Sequence, residues 1–131
     1  MPTKRILVVD DETELVKAIE IRLKAAEYEV LTAYDGQEGL DKAKKEKPNL
    51  IILDLMLPKM DGYKVCGLLK ADTRYNKIPI IMFTARAQES DKQMGKEVGA
   101  DAYITKPFDA KVLLAKISNL LKNKNGESPN A

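Results

Sequence analysis

Asp10-Asp11, Asp54, Thr84 and Lys106 each stand at or just beyond the end of a short apolar run. Three carboxylates gathered in one place repel, and each resists ionisation beside the others. A hard divalent cation relieves that strain, and a set made only of oxygens favours Mg²⁺ (with Mn²⁺ as a substitute) over zinc. A lysine and a hydroxyl then remain to hold the oxygens of a transferred phosphoryl group. The chain contains no histidine, so no histidine can serve here as base, metal ligand or phosphoryl carrier.

Whether these residues meet depends on the elements that carry them. Ile6-Leu7-Val8-Val9 reads as a buried strand, and Leu15, Val16, Ile19, Leu23 and Ala26 then recur at helical spacing. Val30–Ala33 is a second, more mixed strand, with Asp35-Gly36 as the turn out of it. Leu40 and Ala43 share one face of a lysine-rich helix that stops before Pro48. Leu50–Leu53 is the third strand, and Val65, Leu68 and Leu69 mark a third helix. Ile80–Phe83 is the fourth strand, Met94 and Val98 suggest a weak fourth helix, and Ala102–Ile104 is a short fifth strand. Leu113, Ile117, Leu120 and Leu121 form the stripe of a fifth helix. Five βα units in a row predict an α/β fold, a doubly wound parallel sheet with helices on both faces. If the strand order is 2-1-3-4-5, the four polar sites converge on one rim, and strands one and three flank the switch point where such sheets bind ligands.

Each position also has an ordinary reading. Asp11 with Glu14 fits a capping box at the start of the first helix. Asp54 could open a turn, Thr84 could cap the fourth helix, and Lys106 before Pro107 could be a surface lysine. Asp10 is harder to dismiss, because an acid ending a buried strand needs a partner. The conjunction decides, since all four sites fall at strand ends on the same side. Cys66 reads as a small buried filler, Lys42–Lys47 as a solvated helix face, and Gly62 as a residue permitting a backbone turn.

Composition narrows the class. The 131 residues fit one domain, with the last stretch, Asn123–Ala131, expected to be a flexible tail or the start of a linker after a domain spanning 1–122. Twenty-two basic against 20 acidic residues leave a net charge of +2, too weak to argue for nucleic acid or an anionic membrane. One cysteine permits no internal disulfide, which suits a reducing cytoplasm. No apolar run approaches a membrane span, and four apolar residues before two acids do not make a signal peptide.

From about Lys4 to Lys122 the chain resembles the receiver domain of two-component response regulators. The resemblance rests on Ile6-Leu7-Val8-Val9-Asp10-Asp11-Glu12, Asp54-Leu55-Met56-Leu57-Pro58, Met60-Asp61-Gly62, Phe83-Thr84-Ala85, and Gly99-Ala100-Asp101 running to Lys106-Pro107-Phe108. It implies a flavodoxin-like (βα)₅ fold and a phosphorylation-activated signalling switch rather than an enzyme with an external substrate. Asp54 would be the phosphoryl acceptor. Asp11 would ligate Mg²⁺ directly, Asp10 mostly through water, and Met56 through its backbone carbonyl. Lys106 would pair with the acceptor and then with the phosphoryl group, Thr84 would donate its hydroxyl, and Tyr103 would turn inward when Thr84 is drawn to the phosphate. The bond from Lys106 to Pro107 would be cis. The donor would be a histidine kinase or a histidine phosphotransfer protein acting in trans, and the output a protein target or a fused domain. Met56 and Arg86 fall where similar domains govern access of the hydrolytic water, and two large side chains there imply a slowly decaying phosphoryl group.

Rival classes fit less well. A metal-dependent aspartyl phosphatase would carry a second acid where Met56 stands. A flavin carrier would need a phosphate-cradling loop after the first strand, not Asp10-Asp11-Glu12. A pseudo-receiver would not need the full set of acids, threonine and lysine. One departure from the family concerns the face made by the fourth helix, fifth strand and fifth helix. Many members begin the fifth strand Gly-Ala-Asp-Asp and pair two such faces, whereas this chain has Gly99-Ala100-Asp101-Ala102, with Lys116 where an arginine is common. A monomer or weak dimer is therefore expected.

Overall fold

The computed structural model describes residues 3–85 and 99–124. Five strands, β1 (Arg5–Val9), β2 (Glu29–Ala33), β3 (Leu50–Leu53), β4 (Ile80–Thr84) and β5 (Ala102–Thr105), form one parallel sheet in the order β2-β1-β3-β4-β5. Among the described residues four helices cover it: α1 (Thr13–Ala25), α2 (Gly36–Glu46), α3 (Gly62–Ala71) and α4 (Ala110–Lys124). The fourth helix expected around Met94 and Val98, and Arg86 with it, lie outside the described residues.

The alternation of strand side chains builds the two layers. Leu7, Val9, Ile51, Leu53, Ile80 and Met82 pack with α2 and α3, including Leu40, Ala43, Val65, Cys66 and Leu69. Ile6, Val8, Leu50, Ile52, Ile81 and Phe83 pack with α1 and α4, through Val16, Ile19, Leu23, Leu113, Ile117 and Leu121. β3, β1 after Arg5 and β4 up to Thr84 are apolar because both their faces are covered, while β2, at the edge, stays partly exposed.

Several expectations need correction. Asp11 and Glu14 form no capping box. Glu12 is the N-cap of α1, in extended backbone, and no side chain caps that helix. Asp35 does more than turn the chain, since its carboxylate accepts from the backbone N–H of Glu38 at 2.8 Å and caps α2. Leu68 is 43% exposed, so α3 buries Val65, Cys66 and Leu69 instead. Lys42 is not simply solvated, for its ammonium reaches the carbonyl of Thr32 and pairs with Glu38. Gly62 is required by close approach and not by its dihedral angles. A Cβ there would lie 2.2 Å from the carbonyl oxygen of Asp54. α4 runs to Lys124.

Candidate functional site

The carboxyl ends of the strands carry the polar residues because apolar pairing stops there. Val9 pairs with Leu53 in register, so Asp10 and Asp54 leave adjacent strands at the same level. The backbone N–H of Asp54 donates to the carbonyl of Val9 at 2.9 Å, and that of Asp10 to Ala33 at 3.1 Å. On the other side of β3, Thr84 ends β4 opposite Thr105, and the backbone N–H of Lys106 donates to the Thr84 carbonyl at 2.8 Å. The peptide bond from Lys106 to Pro107 is cis, as expected. Phe108 packs edge-on against Phe83, and the Lys106 ammonium lies 5.7 Å from the Phe83 ring centre.

The structure brings Asp10, Asp11 and Asp54 together, each offering a carboxylate oxygen within 4.8 Å of the others. Asp10 and Asp54 are buried and Asp11 is exposed. Lys106, with 11% of its side chain exposed, faces this group. Its Nζ lies 2.7 Å from Glu12 Oε1, 2.9 Å from Asp10 Oδ2 and 3.5 Å from Asp54 Oδ2. Thr84 is buried at the end of β4. Met56 is exposed in the loop after β3. Tyr103 is half-buried on β5, beside a cleft of about 350 Å³ lined also by Pro107, Val112 and Lys116. A second cleft, about 540 Å³, opens beside the acids between Glu12, Leu15, Ala85 and the Lys106-Pro107-Phe108 turn.

The electrostatics follow from burial. Desolvation, then the neighbouring charge of Asp10, pushes the Asp54 carboxyl up to about 6, against the pull of Lys106 and a backbone N–H from Met56. Burial also raises Asp10, although the backbone N–H of Glu12, at 2.9 Å from its Oδ1, and Lys106 resist this. Burial alone would lower Lys106, but the hydrogen bond it donates to Glu12 and the charges of Asp10 and Asp54 hold it above its ordinary value. Asp10 Oδ2 is a buried oxygen with no aligned hydrogen-bond donor, even though the Lys106 charge is near. An unsatisfied carboxylate oxygen beside two more carboxylates is a donor set suited to a hard cation.

Glu12 is the residue that sequence reasoning passed over. It was legible as part of an acidic run, yet nothing in the run distinguished its side chain from a solvated one. Gly36 was also missed as a site-supporting residue. Its N–H donates to Pro58 at 3.1 Å, and a Cβ there would strike the carbonyl oxygen of Met60 at 1.7 Å, so α2 holds down the loop that follows Asp54.

A doubly wound parallel sheet with an acid cluster, a threonine and a lysine on its carboxyl rim places its polar residues where folds of this class bind ligands. The family model for the response regulator receiver domain matches residues 6–118, and the chain belongs to that family. It is 44% identical, over 98% of its length, to the alkaline phosphatase synthesis transcriptional regulatory protein PhoP of Bacillus subtilis. It is 46% identical, over 90% of its length, to the DNA-binding dual master transcriptional regulator RpaA of Synechocystis. These matches cover 52% and 49% of the two relatives, so the chain spans about half their length. A CheY-like response regulator receiver domain protein from Methanospirillum hungatei superposes with a TM-score of 0.89 at 35% identity, covering 97% of this chain and all of that one. No described helix is long and apolar enough to cross a membrane.

Proposed function

We propose that the chain is a phosphorylation-activated switch whose acceptor is Asp54. The observation that carries this is the buried Asp54 carboxylate held between two further acids and the Lys106 ammonium. Asp10, Asp11, Asp54 and the Met56 carbonyl would hold Mg²⁺, or Mn²⁺ in its place. The cation, when bound, supplies neutralisation of phosphoryl oxygens and of the acid cluster.

The reaction then needs mainly alignment. A carboxylate oxygen of Asp54 attacks the phosphorus of a phosphohistidine presented by a histidine kinase or histidine phosphotransfer protein. The P–N bond breaks as the P–O bond forms, and the imidazole leaves with its electron pair. Lys106 balances charge on the phosphoryl oxygens, and Thr84 donates its hydroxyl to one of them. Movement of Thr84 gives Tyr103 room to turn inward, which would re-shape the face carrying β5 and α4. The reader of that face is a downstream protein or a fused output domain. The exposed Met56, with Arg86, would restrict water and slow loss of the phosphoryl group. We further propose that residues 1–122 form the receiver unit and 123–131 a tail or linker, that the protein works in the cytoplasm as a monomer or weak dimer, and that this chain itself binds no nucleic acid.

Intact mass after incubation with a small acyl-phosphate donor tests the central reading. One added phosphoryl group per chain is expected with Mg²⁺, and none in excess chelator or in Asp54→Asn. An equal gain in either control would overturn it.

A further inference from the structure

Lys106 does not point first at the proposed acceptor. Its shortest contact, a hydrogen bond of 2.7 Å, goes to Glu12, while Asp54 is the farthest of its three acids at 3.5 Å. Glu12 is the N-cap residue of α1, but its side chain caps nothing there; it spans to Lys106 instead. The second-nearest acid, Asp10, offers the oxygen that has no aligned donor and that a cation would take. A cation on Asp10 therefore competes with Lys106 for the same carboxylate.

We propose that Glu12 is a positioning residue that holds the Lys106 ammonium when a divalent cation occupies Asp10. This rests on the reading of Asp10, Asp11 and Asp54 as a cation site. With Glu12 in place, the displaced ammonium keeps one charged partner at the mouth of the site, within reach of Asp54 and any phosphoryl group on it. Without it, the 11%-exposed ammonium has only Asp10 and Asp54, the carboxylates the cation also needs. The competition then sharpens, and the cation binds less well. Glu12 itself is 61% exposed, so its replacement leaves no buried charge without a partner at position 12.

Calorimetric titration of the full chain with Mg²⁺ tests this in four proteins: wild type, Glu12→Gln, Lys106→Met and the double variant. Glu12→Gln is expected to weaken Mg²⁺ about five-fold, the upper range for a half-exposed ion pair. In the Lys106→Met background the same substitution should change affinity less than about two-fold, because the cation then has no ammonium to displace. Melting in chelator shows whether each variant is folded, which Glu12→Gln, an isosteric change at an exposed position, should be. Equal Mg²⁺ affinity of wild type and Glu12→Gln would overturn the proposal alone. The same loss with and without Lys106 would overturn it too, assigning Glu12 a direct charge effect on the cation. Absence of any Mg²⁺ binding by wild type would instead remove the cation-site reading on which it stands.

Discussion

Replacing Asp54 by asparagine should stabilise the metal-free protein at neutral pH. The carboxyl is held up near 6 from an ordinary value of 3.8, so its ionised form is disfavoured in the fold. Linkage converts that displacement into roughly 3 kcal/mol of lost stability at pH 7. The sign follows from proton counting. Between the two values the folded state binds more protons than the unfolded one, so stability falls as pH rises through that window and is recovered as pH drops towards 4. Asparagine keeps the shape and removes the charge, and with it the repulsion that Asp10 exerts on this carboxyl. It removes only the most distant of Lys106's acids, leaving Glu12 and Asp10. A net gain of about 2 kcal/mol is expected at pH 7, shrinking towards zero by about pH 4.5. Urea denaturation of wild type and Asp54→Asn in chelator, at both pH values, measures it. Equal stabilities at pH 7, or a difference that does not change with pH, would refute the reasoning. Mg²⁺ should narrow the gap from the other side. At about 10 mM metal and a dissociation constant of about 1 mM, wild type gains roughly 1.4 kcal/mol.

Three further outcomes are expected. Gly62→Ala should destabilise by about 1–3 kcal/mol and weaken Mg²⁺ binding, because its Cβ would press on the carbonyl of Asp54; a denaturation curve and a Mg²⁺ titration read both effects. Burial pushes the Cys66 thiol up to about 11, so a chromogenic disulfide reagent at pH 8 should react slowly with native protein and fast in denaturant. Beryllofluoride-activated protein should sediment largely as a monomer at micromolar concentration, since Ala102 supplies no acid at the β5 face and exposed Lys116 supplies no bidentate fork; a complete shift to dimer would show that face to be misread.

The sheet and the membership of its rim were legible in the sequence. Runs such as Leu50–Leu53 and Ile80–Phe83 are apolar at every position, which only a strand covered on both faces tolerates, and the βα alternation then limits the topology. The acids, Thr84 and Lys106 could be placed at strand ends because apolar periodicity breaks there. Side-chain partnership was not legible. Asp11 with Glu14 satisfied a local capping pattern, yet α1 starts from Glu12 and forgoes a side-chain cap. The ion pair that Glu12 makes instead joins residues 94 positions apart, and no local pattern reports it. Gly62 and Gly36 were visible as glycines, but what excludes a side chain there is the backbone of another segment, Asp54 in one case and Met60 in the other. Composition and periodicity thus determine which residues reach the rim, since they act along the chain. The order of preference of Lys106 among Glu12, Asp10 and Asp54 is a matter of distances between strands, and only tertiary packing sets those.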